Sequence, residues 1–326
     1  MTRLSEDELI EKVFAPLSGE GALHLKDDAA ALQISPDGEV IVTTDTIIAG
    51  VHFLTDDSPQ NIAARALRVN LSDLAAKGAK PIGYLLAIAL PANWTNEWLD
   101  AFAAQLKKDQ QQYGIILLGG DTSRTEGPLV ITITALGTAP QGRMVKRSGA
   151  KPGDLVAVSG TVGDASLGLQ LIKQPDLAAA LSDADRDYLL QRYRLPQPRT
   201  NLAPLLCAHA SAAIDISDGM VGDFTKLCRT SNVSAQILLE NVPHSLAAQA
   251  LIAADESWRE RALTGGDDYE VLFTIPAGAW ALFEEQAHWG TARVTVIGEI
   301  IKGTEAPAFL LNGEPRNFTQ GSYRHF

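Results

Sequence analysis

The sequence predicts an α/β protein of two domains, and its length, its composition and the alternation of its secondary-structure patterns all point this way. The chain has 326 residues, enough for two ordinary cores, and 46% of them are hydrophobic. Runs rich in Val, Ile and Leu alternate with amphipathic helical stretches through both halves. This alternation favours mixed sheets flanked by helices.

The first half begins with a helix and continues in mixed order. "SEDELIEKVFAPL" opens with a capping serine, Ser5, and has apolar residues at helical spacing. The strand "GEVIVTTDTI" follows, and then the helix "NIAARALRVNLSDLAAKGA", which we expect to stop at Gly78. The strand "GYLLAIALP", the helix "TNEWLDAFAAQLKKDQQQYG" and the strands "IILLGGDTS" and "LVITITALGTA" complete this half.

A Gly-rich and basic passage, "APQGRMVKRSGAKPGD", separates the halves, and we place the boundary near residue 145. The strands of the second half are "LVAVSG", "AAIDIS", "SAQILLE", "YEVLFTI" and "VTVIGEI". Helical stretches lie among them around 167–172, 221–228 and 277–286. The predicted domains are therefore 1–145 and 146–326.

Charge and composition exclude several classes of protein. The 39 acidic and 27 basic residues give a formal net charge of -12, which repels nucleic acid and anionic membranes. No apolar run approaches the roughly 20 residues of a membrane span, and the start of the chain is acidic rather than basic and then apolar. The only cysteines, Cys207 and Cys228, argue against a disulfide scaffold or a structural zinc site. We expect a cytoplasmic protein.

Short acidic motifs recur where an element ends or a glycine turn begins. They are "LKDDAAAL" (Asp27, Asp28), "TTDT" (Asp45), "NLSDLAAKG" (Asp73), "LLGGDTS" (Asp121), "AIDISDG" (Asp215, Asp218) and "LTGGDDYE" (Asp267, Asp268). Each alone is better explained as an acidic turn, a polar helix face or a helix cap than as part of a site. Three of them, Asp45, Asp121 and Asp215, are expected directly after apolar strands, where α/β proteins build sites.

Hard oxygen ligands without clustered Cys or His indicate Mg²⁺, which keeps waters and is usually completed by phosphate oxygens. The hydroxyls of Thr43 and Thr44 can add ligands, although threonine is also common in strands for its β-propensity alone. The chain has no GxxxxGK[ST] loop, no dinucleotide fingerprint and no protein-kinase motif. Phosphate binding is left to "GGD" at 119–121 and to a basic patch, which can also be merely a solvated linker. That patch is Arg143, Lys146, Arg147 and Lys151.

Taken together, "DDAAAL", "TTDTIIAGVHF", "NLSDLAAKGAKP", "GGDTS", "RSGAKPGD", "IDISDG" and "GGDDYE", in this order over nearly the whole chain, resemble the thiamine-monophosphate kinase family. That family belongs with the aminoimidazole ribonucleotide and selenophosphate synthetases. The resemblance implies phosphorylation of thiamine monophosphate to thiamine diphosphate with ATP and several Mg²⁺ ions. It also implies a homodimer whose N-terminal sheets join across a two-fold axis, with ATP held between the domains.

The resemblance also implies roles for individual residues, and for direct transfer without a covalent nucleophile. The metal-binding positions are Asp27, Thr43, Thr44, Asp45, Asp73, Asp121, Asp215 and Asp218, of which Asp45, Asp73 and Asp121 would act in catalysis by positioning metal. The ATP-binding positions are Gly120, Asp121, Arg147 and Ser217. The substrate positions are His52, Asp267 and Tyr323. Asp267 stands where the family frequently has Glu, and Tyr323 is chosen over Phe326 as the aromatic near the C-terminus.

Two other interpretations stay open. One is another ATP-using member of the same superfamily, such as a synthetase that activates an amide oxygen of a purine precursor. A selenophosphate synthetase is disfavoured because the reactive cysteine that it needs near the N-terminus is missing. The other is a non-catalytic regulator that binds nucleotide or metal, against which the complete acidic set argues.

Overall fold

The chain forms two structural units in the computed structural model, which describes residues 4–27, 29–290, 293–319 and 321–323. The first unit comprises Met1–Leu74 and Ala79–Gly142, and the second comprises Ala75–Gly78 and Arg143–Phe326. Asp28 and Phe326 lie outside the described residues. Across the described ranges, no helix has both the length and the apolar character that crossing a membrane requires.

The first unit is built on a four-stranded sheet with the strand order β1-β4-β2-β3. Its strands are β1 (Gly38–Ile48), β2 (Lys80–Leu90), β3 (Ile116–Arg124) and β4 (Val130–Pro140). Its helices are α1 (Glu6–Leu9), α2 (Pro59–Ala76) and α3 (Asn96–Tyr113). β4 is antiparallel to both β1 and β2, and β3 is parallel to β2. β1 and β3 are therefore the two edges of this sheet.

The N-terminal helix is shorter than the sequence pattern predicts. Ser5 and Glu8 form the expected capping pair, since the Ser5 N–H donates to Glu8 Oε2 at 3.0 Å. After α1 the chain continues as a π-helical segment, Ile10–Phe14, and a 3₁₀ segment, Ala15–Leu17. Pro16 has no N–H and clashes with a preceding carbonyl, so a regular α-helix cannot continue through it.

One face of the first sheet is covered and the other is open. Ile41 and Ile47 of β1 are buried, on the face where α2 packs. On the opposite face Val40, Val42 and Leu85 are 40%, 60% and 42% exposed. Three large apolar side chains at this exposure make the open face an apolar surface that the described residues of the first unit leave uncovered.

The second unit is built on a seven-stranded mixed sheet with the order β11-β10-β7-β9-β5-β8-β6. Its strands are β5 (Asp154–Ser159), β6 (Ala212–Asp215), β7 (Ser234–Leu238), β8 (Val271–Pro276), β9 (Val294–Ile301), β10 (Ala308–Leu311) and β11 (Glu314–Pro315). Its helices are α4 (Asp164–Lys173), α5 (Asp183–Arg194), α6 (Ala203–His209), α7 (Met220–Ser231), α8 (Leu246–Ala254), α9 (Ser257–Thr264) and α10 (Trp280–Gly290).

The central strands of this sheet are buried on both faces. Alternate residues of β5 point into different cores: Val156 and Val158 pack with Phe224 of α7, whereas Ala157 packs with Phe283 of α10. Burial on both sides explains why these strands read as continuous apolar runs. A third core joins α4, α5, α8 and α9. Of these, α5, α8 and α9 were not predicted from the sequence, and neither was α6.

Candidate functional site

In the first unit, the face of β1 that α2 covers carries side chains with oxygen atoms that can bind a metal ion. Thr43 and Asp45 are two residues apart on this face and both are half-buried. The Thr43 hydroxyl donates a hydrogen bond to Asp73 Oδ2 on α2 at 2.6 Å. The structure therefore brings a hydroxyl and two predicted carboxylates, those of Asp45 and Asp73, onto one side of the sheet.

Thr44 lies on the other side. Strand alternation turns it toward the open face, where its hydroxyl is 3.1 Å from that of Thr134 and donates to the Ile133 carbonyl at 3.2 Å. The side chains of Thr43 and Thr44 thus face opposite ways, and only Thr43 shares a face with Asp45.

Two aspartates that we expected directly after strands lie within them. β1 continues beyond Asp45 to Ile48, and β3 continues beyond Asp121 to Arg124. These strands are the sheet edges, where polar side chains are tolerated, so the carboxylates do not end them. The prediction of strand ends was wrong for these two positions and right for Asp215, the last residue of β6.

Asp45 and Asp121 are on opposite edges of the sheet. Across the strands, Asp45 is in register with Ile133, Leu86 and Gly120, so Asp121 is one residue further along β3. Three strand spacings separate these edges by about 14 Å. Within one chain the two carboxylates cannot approach the same ion.

The glycine of "GGD" has a structural explanation of its own. A Cβ at Gly120 would lie 1.8 Å from the Leu86 carbonyl oxygen, so the close approach of β2 excludes any side chain there. The exposed Asp121 follows it.

His52 lies in the turn after β1, where its Nδ1 accepts the Ile48 N–H at 3.1 Å. The proton of a neutral His52 ring is therefore on Nε2. Asp27 is exposed, in the segment that precedes β1.

In the second unit, three of the predicted motifs meet. The loops "IDISDG" and "GGDDYE" run side by side, and the Asp267 N–H donates to the Ser217 carbonyl at 2.9 Å. The C-terminal segment joins them, because the Tyr323 N–H donates to the Asp218 carbonyl at 3.0 Å. Ser217, Asp218, Asp267 and Tyr323 are therefore neighbours, although more than one hundred residues of sequence separate the first from the last.

The loop that carries Asp267 has a strained backbone. Asp267 and Tyr269 have φ angles of 75° and 52°, in the left-handed region that non-glycine residues rarely adopt. Between the two loops, a Cβ at Gly266 would lie 2.2 Å from the Ser217 carbonyl oxygen, so only glycine fits. Strain of this kind collects at functional sites, where the surroundings over-determine the conformation.

A carboxylate that the sequence analysis missed holds the "SDG" turn. Asp223 Oδ2 accepts the backbone N–H groups of Ser217, Asp218 and Gly219 at 3.1, 2.9 and 3.2 Å. Lys226 Nζ bridges Asp218 Oδ2 at 2.6 Å and Asp223 Oδ1 at 2.9 Å. Burial raises the pKa of Asp223. Burial alone would lower the pKa of Lys226, but the hydrogen bonds to the two carboxylates raise it above its ordinary value.

The "GGDDYE" loop is fixed from behind by a buried ionic network. Glu270 is fully buried and accepts hydrogen bonds from Arg192 at 2.9 Å, from Arg199 Nε at 2.6 Å and from the Ser159 hydroxyl at 2.6 Å. Removing one partner of such a buried network typically costs about 3–5 kcal/mol, because a charge is left uncompensated. The partners are 71 to 111 residues away from Glu270, so no local sequence signal announces them.

Asp268 caps α4 from the same loop. Its carboxylate accepts the N–H groups of Gly163 at 2.6 Å and Ala165 at 3.1 Å, and burial raises the pKa of Asp268 well above its ordinary value. His244 contacts Val162, the residue before Gly163. Its Nδ1 lies 2.8 Å from the Val162 carbonyl oxygen and must be the donor. Burial lowers the pKa of His244.

Asp215 and Arg147, also in the second unit, differ in burial. Asp215 is buried at the end of β6. Arg147 is exposed, and its carbonyl accepts a hydrogen bond from the Ser231 hydroxyl at 2.9 Å. The preceding carbonyl, of Lys146, accepts the Ala213 N–H of β6 at 3.0 Å. The basic passage is thus tied by its backbone to β6 and α7. These contacts fix the backbone position from which the exposed Arg147 side chain extends.

The donor set suits Mg²⁺ better than zinc. Over the described part of the chain, no group of three or more His, Cys, Asp or Glu side chains could hold a metal ion. What the structure provides is a pair of carboxylates with a hydroxyl in the first unit, and in the second a carboxylate, Asp218, that already accepts a cationic ammonium. Proteins commonly bind Mg²⁺ through one or two carboxylates, with waters and phosphate oxygens completing its coordination shell.

Family comparisons match both halves of the chain. Residues 26–139 match the family "AIR synthase related protein, N-terminal domain", and residues 151–308 match "AIR synthase related protein, C-terminal domain".

Among individual proteins, the chain is 41% identical to the thiamine-monophosphate kinase of Caulobacter vibrioides, over 94% of this chain and 86% of that protein. It resembles the crystal structure of thiamine-monophosphate kinase from Stenotrophomonas maltophilia with a TM-score of 0.81 and 38% identity, over 90% of this chain and 91% of the other. A structure of AaThiL complexed with AMPPCP and TMP aligns with a TM-score of 0.78 and 29% identity, over 98% and 94% of the two chains.

The lowered pKa of His244 has a consequence for stability. Just below pH 6.5, its ordinary value, the ring is more protonated in the unfolded chain than in the folded one, where burial lowers its pKa. The unfolded state then binds more protons, so stability falls as the pH drops below about 6.5. We expect the melting temperature of His244→Asn, which keeps a donor for the Val162 carbonyl, to fall less between pH 7.5 and 5 than that of the wild type.

The matched control is His24→Asn, because His24 is an exposed histidine of the first unit. It should keep the wild-type pH dependence of the melting temperature. If the melting temperature of His244→Asn depends on pH as that of the wild type does, the pKa of this ring does not differ between the folded and unfolded states.

Proposed function

The chain belongs to the thiamine-monophosphate kinase family of AIR synthase related proteins, and we propose that it phosphorylates thiamine monophosphate to thiamine diphosphate with ATP. This reaction is the last step of thiamine diphosphate biosynthesis. The observation that carries the proposal is the fit of 98% of this chain to AaThiL, whose structure is described as complexed with AMPPCP, an ATP analogue, and TMP. Requiring ATP, the enzyme belongs in the cytoplasm.

Transfer is direct and in line. The attacking group is a phosphate oxygen of thiamine monophosphate, which is already anionic near neutral pH and needs no obligatory general base. Phosphoryl transfer has a loose transition state with charge spread over oxygens, so the protein mainly positions the two substrates and neutralises charge.

We assign Mg²⁺ to the acidic residues. Bound Mg²⁺ would neutralise phosphate charge and orient the phosphates, which also explains how a chain of net charge -12 admits ATP. The sheet edges that carry Asp45 and Asp121 are about 14 Å apart, so within one chain these two carboxylates would bind separate ions. The assigned ligands are Asp27, Thr43, Thr44, Asp45, Asp73, Asp121, Asp215 and Asp218.

ATP contacts are assigned to Gly120, Asp121, Arg147 and Ser217. Exposure of Arg147, on a backbone tied to β6 and α7, supports a role in binding phosphate, for which a guanidinium is well suited. Ser217 lies in the turn that Asp223 holds.

Thiamine recognition is assigned to Asp267, Tyr323 and His52. Thiamine carries a permanently cationic thiazolium, which a carboxylate and an aromatic face bind well. Asp267 and the exposed Tyr323 are neighbours in the second unit, as this requires. The neutral His52 ring can donate from Nε2 to a phosphate oxygen, since Nδ1 accepts the Ile48 N–H.

A homodimer is supported by the open face of the first sheet. Its large apolar residues, Val40, Val42 and Leu85, are accompanied by hydroxyl pairs such as Thr46 with Thr132, at 2.8 Å. A sheet face with several exposed apolar and hydroxyl side chains of this kind suits burial against a second copy of itself.

The activity is tested with the purified chain and three reactions: thiamine monophosphate, an aminoimidazole precursor, and no second substrate. We expect ATP consumption and thiamine diphosphate only in the first. Asp73→Asn should lower turnover by about 10²-fold, the cost of one preorganised electrostatic contact, while keeping an acceptor for Thr43. The exposed Asp100→Asn on α3 is the charge-matched control. Normal turnover by Asp73→Asn at limiting Mg²⁺ would remove Asp73 from the metal site.

Substrate recognition is tested at Asp267 and Tyr323. Losing one charge-assisted contact costs roughly 1.5–3 kcal/mol, or about one to two powers of ten in kcat/KM. Asp267→Ala and Tyr323→Ala should raise the KM for thiamine monophosphate and leave the KM for ATP nearly unchanged. Asp267→Glu, which restores the residue frequent in the family, should be tolerated. If both alanine variants keep the wild-type KM, thiamine is recognised elsewhere.

The dimer is tested by placing a charge on the open face. Val42→Glu should convert the dimer to a monomer in sedimentation velocity, because a buried unpaired carboxylate opposes association. Glu39→Gln changes a side chain on the opposite, covered face of the same strand, and this variant should stay dimeric. A dimeric Val42→Glu protein would place the interface on another surface.

A further inference from the structure

Lys226 occupies a position that the proposed chemistry does not account for. Its ammonium lies 2.6 Å from Asp218 Oδ2, and the side chains of both residues are 36% exposed. Asp218 is one of the carboxylates assigned to Mg²⁺. A cation belonging to the protein is therefore bound to an oxygen that a divalent cation would use.

The second partner of Lys226 is of a different kind. Asp223 is buried, and its Oδ2 is fully engaged by the backbone N–H groups of residues 217–219, so this carboxylate cannot turn away. Its other oxygen, Oδ1, is 2.9 Å from Lys226 Nζ, three residues along the same helix. Asp223 thus anchors the ammonium, whereas the contact with Asp218 is at the accessible end of the bridge.

We propose that Lys226 is a tethered counter-cation for Asp218, which balances this carboxylate when no metal is bound and competes with the divalent cation for it. On metal binding the ammonium gives up Asp218 Oδ2 and keeps Asp223 Oδ1. The inference rests on the proposed function, because it takes Asp218 to be a metal ligand.

The chemistry of lysine suits this role. The ammonium is a compact point charge on a flexible four-carbon stem, so it can leave one carboxylate without losing the other. Without it, Asp218 and Asp223 would be close like charges bridged by no cation, and the "SDG" turn would open or draw in another ion. Lys226 therefore keeps the turn in place between catalytic cycles. Because it occupies Asp218, it also weakens the affinity of this carboxylate for the metal.

The test measures binding of Mn²⁺, used in place of Mg²⁺, to the full-length protein without nucleotide. Asp218→Asn defines the class of Mn²⁺ sites that depends on this carboxylate. In Lys226→Met, which keeps the apolar stem but has no charge, we expect that class to bind about two- to fivefold more tightly, the range that a half-exposed ion pair supports. Lys173→Met, an equal change of charge at the exposed end of α4, should leave Mn²⁺ affinity unchanged.

Thermal unfolding gives a second readout that activity does not enter. Lys226→Met should melt at a lower temperature than the wild type in EDTA, and added Mg²⁺ should raise its melting temperature by more than it raises that of the wild type. A general structural role would lower the melting temperature under both conditions alike, without tighter Mn²⁺ binding.

The outcomes separate this inference from the proposed function. If Asp218→Asn binds Mn²⁺ like the wild type, Asp218 is not a ligand and the metal assignment fails with it. If Asp218→Asn loses a class of sites but Lys226→Met binds Mn²⁺ no more tightly, the metal assignment stands and the competition by Lys226 is overturned. Weaker ATP binding by Lys226→Met with unchanged Mn²⁺ affinity would overturn it too, since the lysine would then be a phosphate ligand.

Discussion

The second unit depends on the buried carboxylate of Glu270. Its two oxygens accept hydrogen bonds from Arg192, Arg199 and Ser159, and its backbone carbonyl accepts the Ile216 N–H. A fully buried charge is tolerated only with such complete pairing. The pairing fixes the end of the "GGDDYE" loop, and through it the left-handed backbone at Asp267 and the turn that carries Asp218. The positions of Asp267 and Asp218 in this unit thus depend on the pairing of a buried charge.

Much of the secondary structure could be predicted from the sequence, because it follows from local patterns. The alternation in β1, the apolar face of α2 and the stop at Gly78 all depend on neighbouring residues. The two-domain α/β class could be predicted from the same local patterns, and the family and structure comparisons confirmed it. The helices α5, α8 and α9 were missed. Of these, α5 and α9 contribute only Leu189 and Ala262 as buried residues of the third core, so they carry little hydrophobic periodicity.

The candidate site could be predicted only as a set of motifs. Motif order indicated the family, and "IDISDG" and "GGDDYE" do meet. Sheet order is not written locally, however, so the sequence could not tell that β4 and β2 lie between Asp45 and Asp121. Nor could it identify Asp223 and Lys226, which look like an ordinary pair of charges one helical turn apart.

The wide sequence separation around Glu270 has a consequence for synthesis on the ribosome. Arg192 and Arg199 are translated 78 and 71 residues before their common carboxylate. At about 5–20 residues per second, these cations wait roughly 4–15 s for the anion that allows their burial. Until then they must stay hydrated, so α5, which carries Arg192, cannot pack fully against the other helices of the third core. The nascent second unit is therefore open to chaperones and proteases until Glu270 has emerged.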